Sequence, residues 1–230
     1  MKELLGDSVF FGVLVSIVTY ELGVYLKKRW KLAVFNPLLL SVLAVMGILT
    51  ALRIDYDIYY EGAKYLSYLL TPATVCLAVP LYEKIGLLKK HVSAIMGGIA
   101  AGVFTSLVTV LACALLFHFT HEQYVTLLPK TITTAIGMGI SEELGGMVTI
   151  TVAVIIITGV LGNMTAEAVL KLFRIEETVA KGVAIGSASH AIGTVKAMEM
   201  GEIEGAMSSL SIAVAGLLTV AGASVFANFL

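Results

Sequence analysis

The run "GSASHAIGTVKAMEMGE", residues 186–202, gathers a histidine, a lysine and two glutamates among glycines and small hydroxyl residues. The surrounding chain is strongly apolar. Its 230 residues are 58% hydrophobic and only 13% charged, with a mean hydropathy of +0.96. Soluble domains hold about 45–50% apolar and about 25% charged residues, so the chain reads as an all-α polytopic membrane protein. A cation deep in a bilayer costs several kcal/mol unless it is paired or hydrated. Gly186, Ser187, Ser189 and Gly193 also make a poor helix interior and allow local unwinding. The stretch therefore predicts an interrupted helix facing a bundle interior or a water-filled path. Two plainer readings stand beside it: His190 as a neutral, hydrogen-bonded core residue, and Lys196 snorkelling to the interface. Glu199, Glu202 and Glu204 read as a solvated loop at the outer end.

A spanning helix needs about 20 mostly apolar residues. Residues 8–26, 33–52, 92–117, 147–165 and 206–229 qualify, while 62–82, 127–146 and 178–200 are long enough but interrupted. Loop cations set orientation. With KKRWK (27–31), EKIGLLKKH (83–91) and KLFRIEETVAK (171–181) all cytoplasmic, 127–146 must enter and leave on the outer side as a re-entrant piece. The segment 178–200 then runs outward and 206–229 inward. The expectation is about seven to eight membrane segments in one membrane domain, 1–230, whose N-terminus is a retained span and not a signal peptide.

The chain also echoes itself. "GILTALRIDYD" (47–57) precedes a broken stretch at "LLTPATVCLAVP" (69–80), and "GVLGNMTAEAVLKLFRIEE" (159–177) precedes the break at 186–197. Each break leads into a long small-residue helix. The copies, 33–117 and 147–229, would each contain three spans. An odd number gives opposite orientations, which is the inverted-repeat plan of secondary transporters.

Three places offer chemistry. Pro72 and Pro80 each remove a backbone donor, and Thr71 and Thr74 stand ready to bind the freed carbonyls. This is either an unwound cavity lining or a proline kink satisfied by neighbouring helices. At 127–146, Pro129 suits a first helical position. Lys130, Thr131, Thr133 and Thr134 then fall in the first turns, where free N–H groups and partial positive charge favour anions. The alternative there is an ordinary capped start with a headgroup-facing lysine. The third place is the opening run, with Ser187, Ser189, His190, Thr194 and Lys196. Asn36 before Pro37 is either a cap or a cavity group.

Other classes find little support. A net charge of −1 offers no basic face for nucleic acid. Cys76 and Cys113 lie in apolar runs without metal-ligand spacing, and read as buried thiols. No HExxH, GxSxG or phosphate-cradling loop is present. Ser189 and His190 are adjacent and point about 100° apart on a helix. An enzyme is not expected, nor a metal or other cofactor.

"NPLLLS", "LTPATVCLAVPLYE", "LPKTITTAIGM", "GVLGN", "RIEETVAKGVAIGSASHAIGTVKAME" and "EGAMSSL" closely resemble the LrgB/CidB family of bacterial inner-membrane proteins, from about residue 8 to the end. A similar module forms the C-terminal half of the plastid glycolate/glycerate translocator. Ala135 stands where many members carry a proline, which weakens the expected break there. The resemblance implies a multi-pass protein of the bacterial inner membrane, often beside a smaller LrgA/CidA-like membrane partner, and compatible with homo-oligomers. It implies one of two functions. The first is transport of small organic acid anions such as pyruvate, glycolate or glycerate, in which case the chemistry of the three places above puts Thr71, Pro72, Thr74, Lys130, Thr131, Thr133, Thr134, Ser187, Ser189, His190, Thr194 and Lys196 around the substrate. His190 would carry a coupling proton. The second is antiholin-like regulation of murein hydrolase activity and lysis.

Overall fold

The computed structural model describes residues 10–30, 35–76 and 78–230. The side chains of Leu70, Thr71, Thr74, Ala78, Pro80, Leu81, Leu87 and Leu88 are outside the described set. The expected roles of the Thr71, Thr74 and Pro80 side chains, and of Lys31 in the basic cluster, therefore lie outside the described residues. All regular structure among the described residues is helical, as expected. The chain divides into two compact units, Met1–Cys76 and Leu77–Leu230.

The first unit holds α1 (Phe11–Trp30), α2 (Pro37–Leu52), α3 (Tyr56–Ser67) and α4 (Leu70–Cys76). Gly12 lets α1 cross α3 with backbone nearly touching backbone at Tyr59 and Ala63. Ser16 and Tyr59 share a hydrogen bond of 2.7 Å, and Thr19 and Ser41 one of 2.9 Å. Asn36 is a cap: its Oδ1 accepts from the N–H groups of Leu38 and Leu39 at 2.9 and 3.2 Å, with Pro37 at the first helical position. That settles its two readings.

The second unit holds α5 (Ala78–Glu83), α6 (Ile85–Phe117), α7 (His121–Leu127), α8 (Thr134–Glu143), α9 (Val148–Leu172), α10 (Thr178–Met200) and α11 (Glu202–Phe226), then a short 3₁₀ turn at Ala227–Phe229. Three stretches among the described residues are long and apolar enough to cross a membrane: Lys89–Phe117, Val148–Leu172 and Glu202–Phe229. α6 and α11 run the same way. Lys84 Nζ lies 2.9 Å from Glu202 Oε2 at their starts, and Phe104 meets Phe226 edge-on toward their ends.

α7 and α8, at 7 and 10 residues, reach only about 10 and 15 Å at 1.5 Å per residue, against a hydrocarbon core of about 30 Å. They form a hairpin entered from the end where α6 and α11 finish. There, Tyr124 Oη donates to the Phe226 carbonyl at 2.9 Å. The chain turns at 128–133, where Leu128 and Ile132 are buried, and α8 returns past Ile155 and then Thr151. A buried hydroxyl set closes its base. Thr151 Oγ1 lies 2.9 Å from the Thr126 carbonyl and 2.7 Å from Ser141 Oγ, and the Met147 N–H donates to Thr126 Oγ1 at 2.8 Å. The segment read as entering and leaving on one side does so within this unit, and Ala135 in place of proline does not prevent it.

α10 departs from expectation. It is two helical arms that meet at His190, where the backbone has φ 42° and ψ −142°, and the chain folds back. A Cβ at Gly193 would lie 3.1 Å from Ile185 Cγ2 and 3.4 Å from the Ile185 carbonyl oxygen. In a straight helix, residues eight apart are about 12 Å apart along the axis. Lys181 and Met200, near the two ends, line one cavity of about 400 Å³. Residues 178–200 are thus a second hairpin with its tip at His190, entered from the end where α6 and α11 begin.

Two expectations change as a result. α11 runs opposite to the direction assigned to 206–229, and Glu199, Glu202 and Glu204 lie at the end that carries Lys84, Lys171 and Arg174. In addition, a copy whose middle segment folds back crosses twice, so the odd-number basis for inversion fails for 147–229. What the echo does preserve is local. Arg53 and Arg174 both end a helix in the left-handed region, at φ 52° and 53°. The following Ile54 and Ile175 N–H groups reach back to Leu49 and Leu170 carbonyls at 2.9 Å in both cases, which is a Schellman-type close.

Glycines let α10 press on three helices. A Cβ at Gly102 of α6 would lie 3.0 Å from Ser187 Oγ. One at Gly186 would strike the Ser208 carbonyl oxygen and sit 2.8 Å from Ser208 Cα. Backbone cannot yield there, so Gly186→Ala is expected to lower stability by about 2 kcal/mol. Gly97→Ala meets nothing within 4 Å and should gain up to about 1 kcal/mol from helix propensity. Denaturant unfolding in detergent measures both signs.

Candidate functional site

The two hairpins enter from opposite ends, and both pack on one residue of α9. A Cβ at Gly137, in the first turn of α8, would overlap Ile155 Cδ1. The Ile155 carbonyl in turn accepts a hydrogen bond of 3.0 Å from His190 Nε2 at the tip of α10. Because a carbonyl can only accept, Nε2 carries the hydrogen, and in the neutral ring Nδ1 is the acceptor. His190 is 2% exposed, a buried and hydrogen-bonded residue on a reversed backbone. It combines the plain reading with the interrupted-helix reading.

Polar groups converge on this tip. Thr194 Oγ1 donates to the His190 carbonyl at 2.9 Å and shares a 2.7 Å hydrogen bond with Ser208 Oγ of α11. Asn163 Nδ2 donates to the Ile192 carbonyl at 2.9 Å. Ser189 is buried, and its hydroxyl makes no hydrogen bond among the described residues. Ser187 is committed within its own helix, donating to the Val183 carbonyl at 2.7 Å.

At the other tip, Thr131 is buried and its Oγ1 donates weakly, at 3.4 Å, to Ser106 Oγ of α6. Thr133 is the N-cap of α8 but accepts no side-chain capping bond, and Thr134 opens the helix half-buried. First-turn N–H groups therefore lack the usual cap acceptor. Lys130 is half-buried and forms no ion pair among the described residues.

Lys196 belongs elsewhere. Its Nζ lies 2.6 Å from Glu167 Oε1 of α9 and 3.3 Å from Glu199 Oε2, toward the base of the hairpin. With two carboxylates in reach it is already neutralised, and the structure reassigns it from the substrate set to the α9–α10 contact. Pro72 is exposed in α4 of the first unit.

The sequence reading missed the Ile155 carbonyl, Gly159, Gly162, Asn163 and Ser208. The first is backbone and has no side-chain signature. The glycines and Asn163 were visible as "GVLGN", where Gly159 and Gly162 are three apart and so share a helix face.

No solved structure matches the chain. The sequence model of the LrgB-like family matches residues 16–229, nearly the whole length. The chain therefore belongs to the LrgB-like family.

Proposed function

We propose that this protein carries small organic acid anions of the pyruvate, glycolate or glycerate kind across the bacterial inner membrane, coupled to protons through His190 and working with a small LrgA-like subunit. The observation that carries the reading is the meeting of two opposed hairpin tips around Ile155. One tip bears Lys130 and an uncapped helix start suited to a carboxylate. The other bears a buried imidazole and hydroxyls. Broken elements of this kind are where secondary transporters place substrates and coupling ions. Lys84, Lys89, Lys90, Lys171, Arg174 and Lys181 share one end of the second unit. Between α6 and α9 at the other end, Lys130 is the sole lysine or arginine, and it sits in the hairpin tip. The positive-inside rule then makes the α10 hairpin open from the cytoplasm and the α7–α8 hairpin from outside.

Purified protein in sealed vesicles, with and without the small partner, tests this directly. Uptake of labelled pyruvate or glycolate that rises with an inward proton gradient supports the proposal. Absence of uptake in both preparations overturns it and favours the antiholin-like reading, in which assembly with partners matters and a substrate chamber does not.

A further inference from the structure

The "GVLGN" run, residues 159–163 of α9, has no part in the reading above. Every polar or glycine position in it touches the α10 tip. A Cβ at Gly159 would lie 2.7 Å from His190 Cε1, 2.8 Å from His190 Nε2 and 2.9 Å from Ile192 Cβ. One at Gly162 would overlap Ser189 Oγ and Cβ. Asn163 Nδ2 holds the Ile192 carbonyl at 2.9 Å. Residues 189, 190 and 192 of the tip thus all rest on the run, Ile192 on both Gly159 and Asn163. One turn earlier, the Ile155 carbonyl takes the Nε2 hydrogen.

We infer that Gly159, Gly162 and Asn163 form a fitted seat for the hairpin tip, whose role is to present His190 with Nε2 turned into α9 and Nδ1 as the one ring nitrogen not engaged by the Ile155 carbonyl. These are positioning residues, and the inference rests on the transport reading only for what Nδ1 meets. Any side chain at 159 displaces the imidazole, and any side chain at 162 displaces Ser189. Either change pulls the ring off the Ile155 carbonyl, and both nitrogens then become free to hold the hydrogen. Asn163 acts from the next turn by fixing the backbone just past the reversal, so the ring cannot swing with its own main chain.

Nitrogen-15 magnetic resonance on full-length protein labelled at histidine, in lipid bilayers, reads the tautomer. His190→Gln identifies the signal among the four histidines. Wild-type protein should show a single Nε2–H form. Gly162→Ala should give a mixture of tautomers and raise the pyruvate concentration for half-maximal uptake about tenfold. Adding Ser189→Gly, which removes the atoms that the new methyl meets, should restore the single form. A wild-type Nδ1–H form overturns the inference, and needs no variant to fold. So does a single Nε2–H form that persists in both Gly162→Ala and Gly159→Ala. Wild-type protein with the expected tautomer but no uptake of pyruvate sinks the transport reading and leaves the seat standing.

Discussion

Replacing Lys130 with alanine is expected to cut carboxylate uptake about 10- to 100-fold while leaving the unfolding midpoint within a degree or two of wild type. Lys130 lies in the tip of the α7–α8 hairpin, half-buried, with no ion pair among the described residues. An unpaired cation in that position gains little from folding, so its removal costs little stability. An arriving carboxylate, in contrast, loses its charge-assisted hydrogen bond, worth about 1.5–3 kcal/mol, or roughly one to two powers of ten. Lys130→Arg keeps the charge and should retain most of the uptake. Lys196 provides the contrast. Its charge already serves Glu167 at 2.6 Å and Glu199 at 3.3 Å, so Lys196→Met breaks both of these ion pairs. That change should lower stability by about 1–2 kcal/mol, allowing for partial exposure. Uptake kinetics and detergent unfolding on the same preparations separate the two lysines. Equal losses of uptake with equal losses of stability would mean that Lys130 has no special place in the site.

The difference between these lysines marks where sequence reading succeeds and where it stops. Both are cations in a greasy segment, and composition treats them alike. Only the fold shows that Glu167, from another helix, reaches one of them. A re-entrant piece at 127–146 was legible because loop cations on both sides demand an even number of crossings, although its first arm, His121–Leu127, starts earlier. The disturbance at 186–197 was legible because glycine, serine and charge disfavour a buried helix. Its nature was not. The same residues suit a kink, an unwound turn or a full reversal, and periodicity carries no sign for direction. A reversal usually advertises itself with glycine in the left-handed region, whereas here glycines flank the turn and histidine occupies it. The misplaced outer end of Glu199, Glu202 and Glu204 follows from that one ambiguity. A reversal counted as a crossing flips every element after it. The "GVLGN" seat shows a different limit. Its glycines were visible on one face of α9, but what a glycine makes room for belongs to another part of the chain.

That unusual histidine gives the second large prediction, a reversed order of stability at position 190. In an ordinary helix interior, alanine is better than glycine by about 1 kcal/mol. At φ 42° and ψ −142° an L-residue is strained by about 1–3 kcal/mol, and glycine escapes most of that cost. Both His190→Gly and His190→Ala lose the bond to the Ile155 carbonyl and leave nearly the same cavity, so those terms cancel between them. Glycine should therefore be the more stable variant by about 2 kcal/mol, read from denaturant unfolding in one detergent. An alanine variant of equal or greater stability would show that the chain does not reverse here, and both the hairpin and the meeting of the two tips would fall with it. Uptake adds an independent readout. If the imidazole carries the proton, both variants lose transport by about 100-fold or more, whatever their stability. If glycine retains uptake while alanine does not, residue 190 serves only to turn the chain, and the coupling proton must travel by another route.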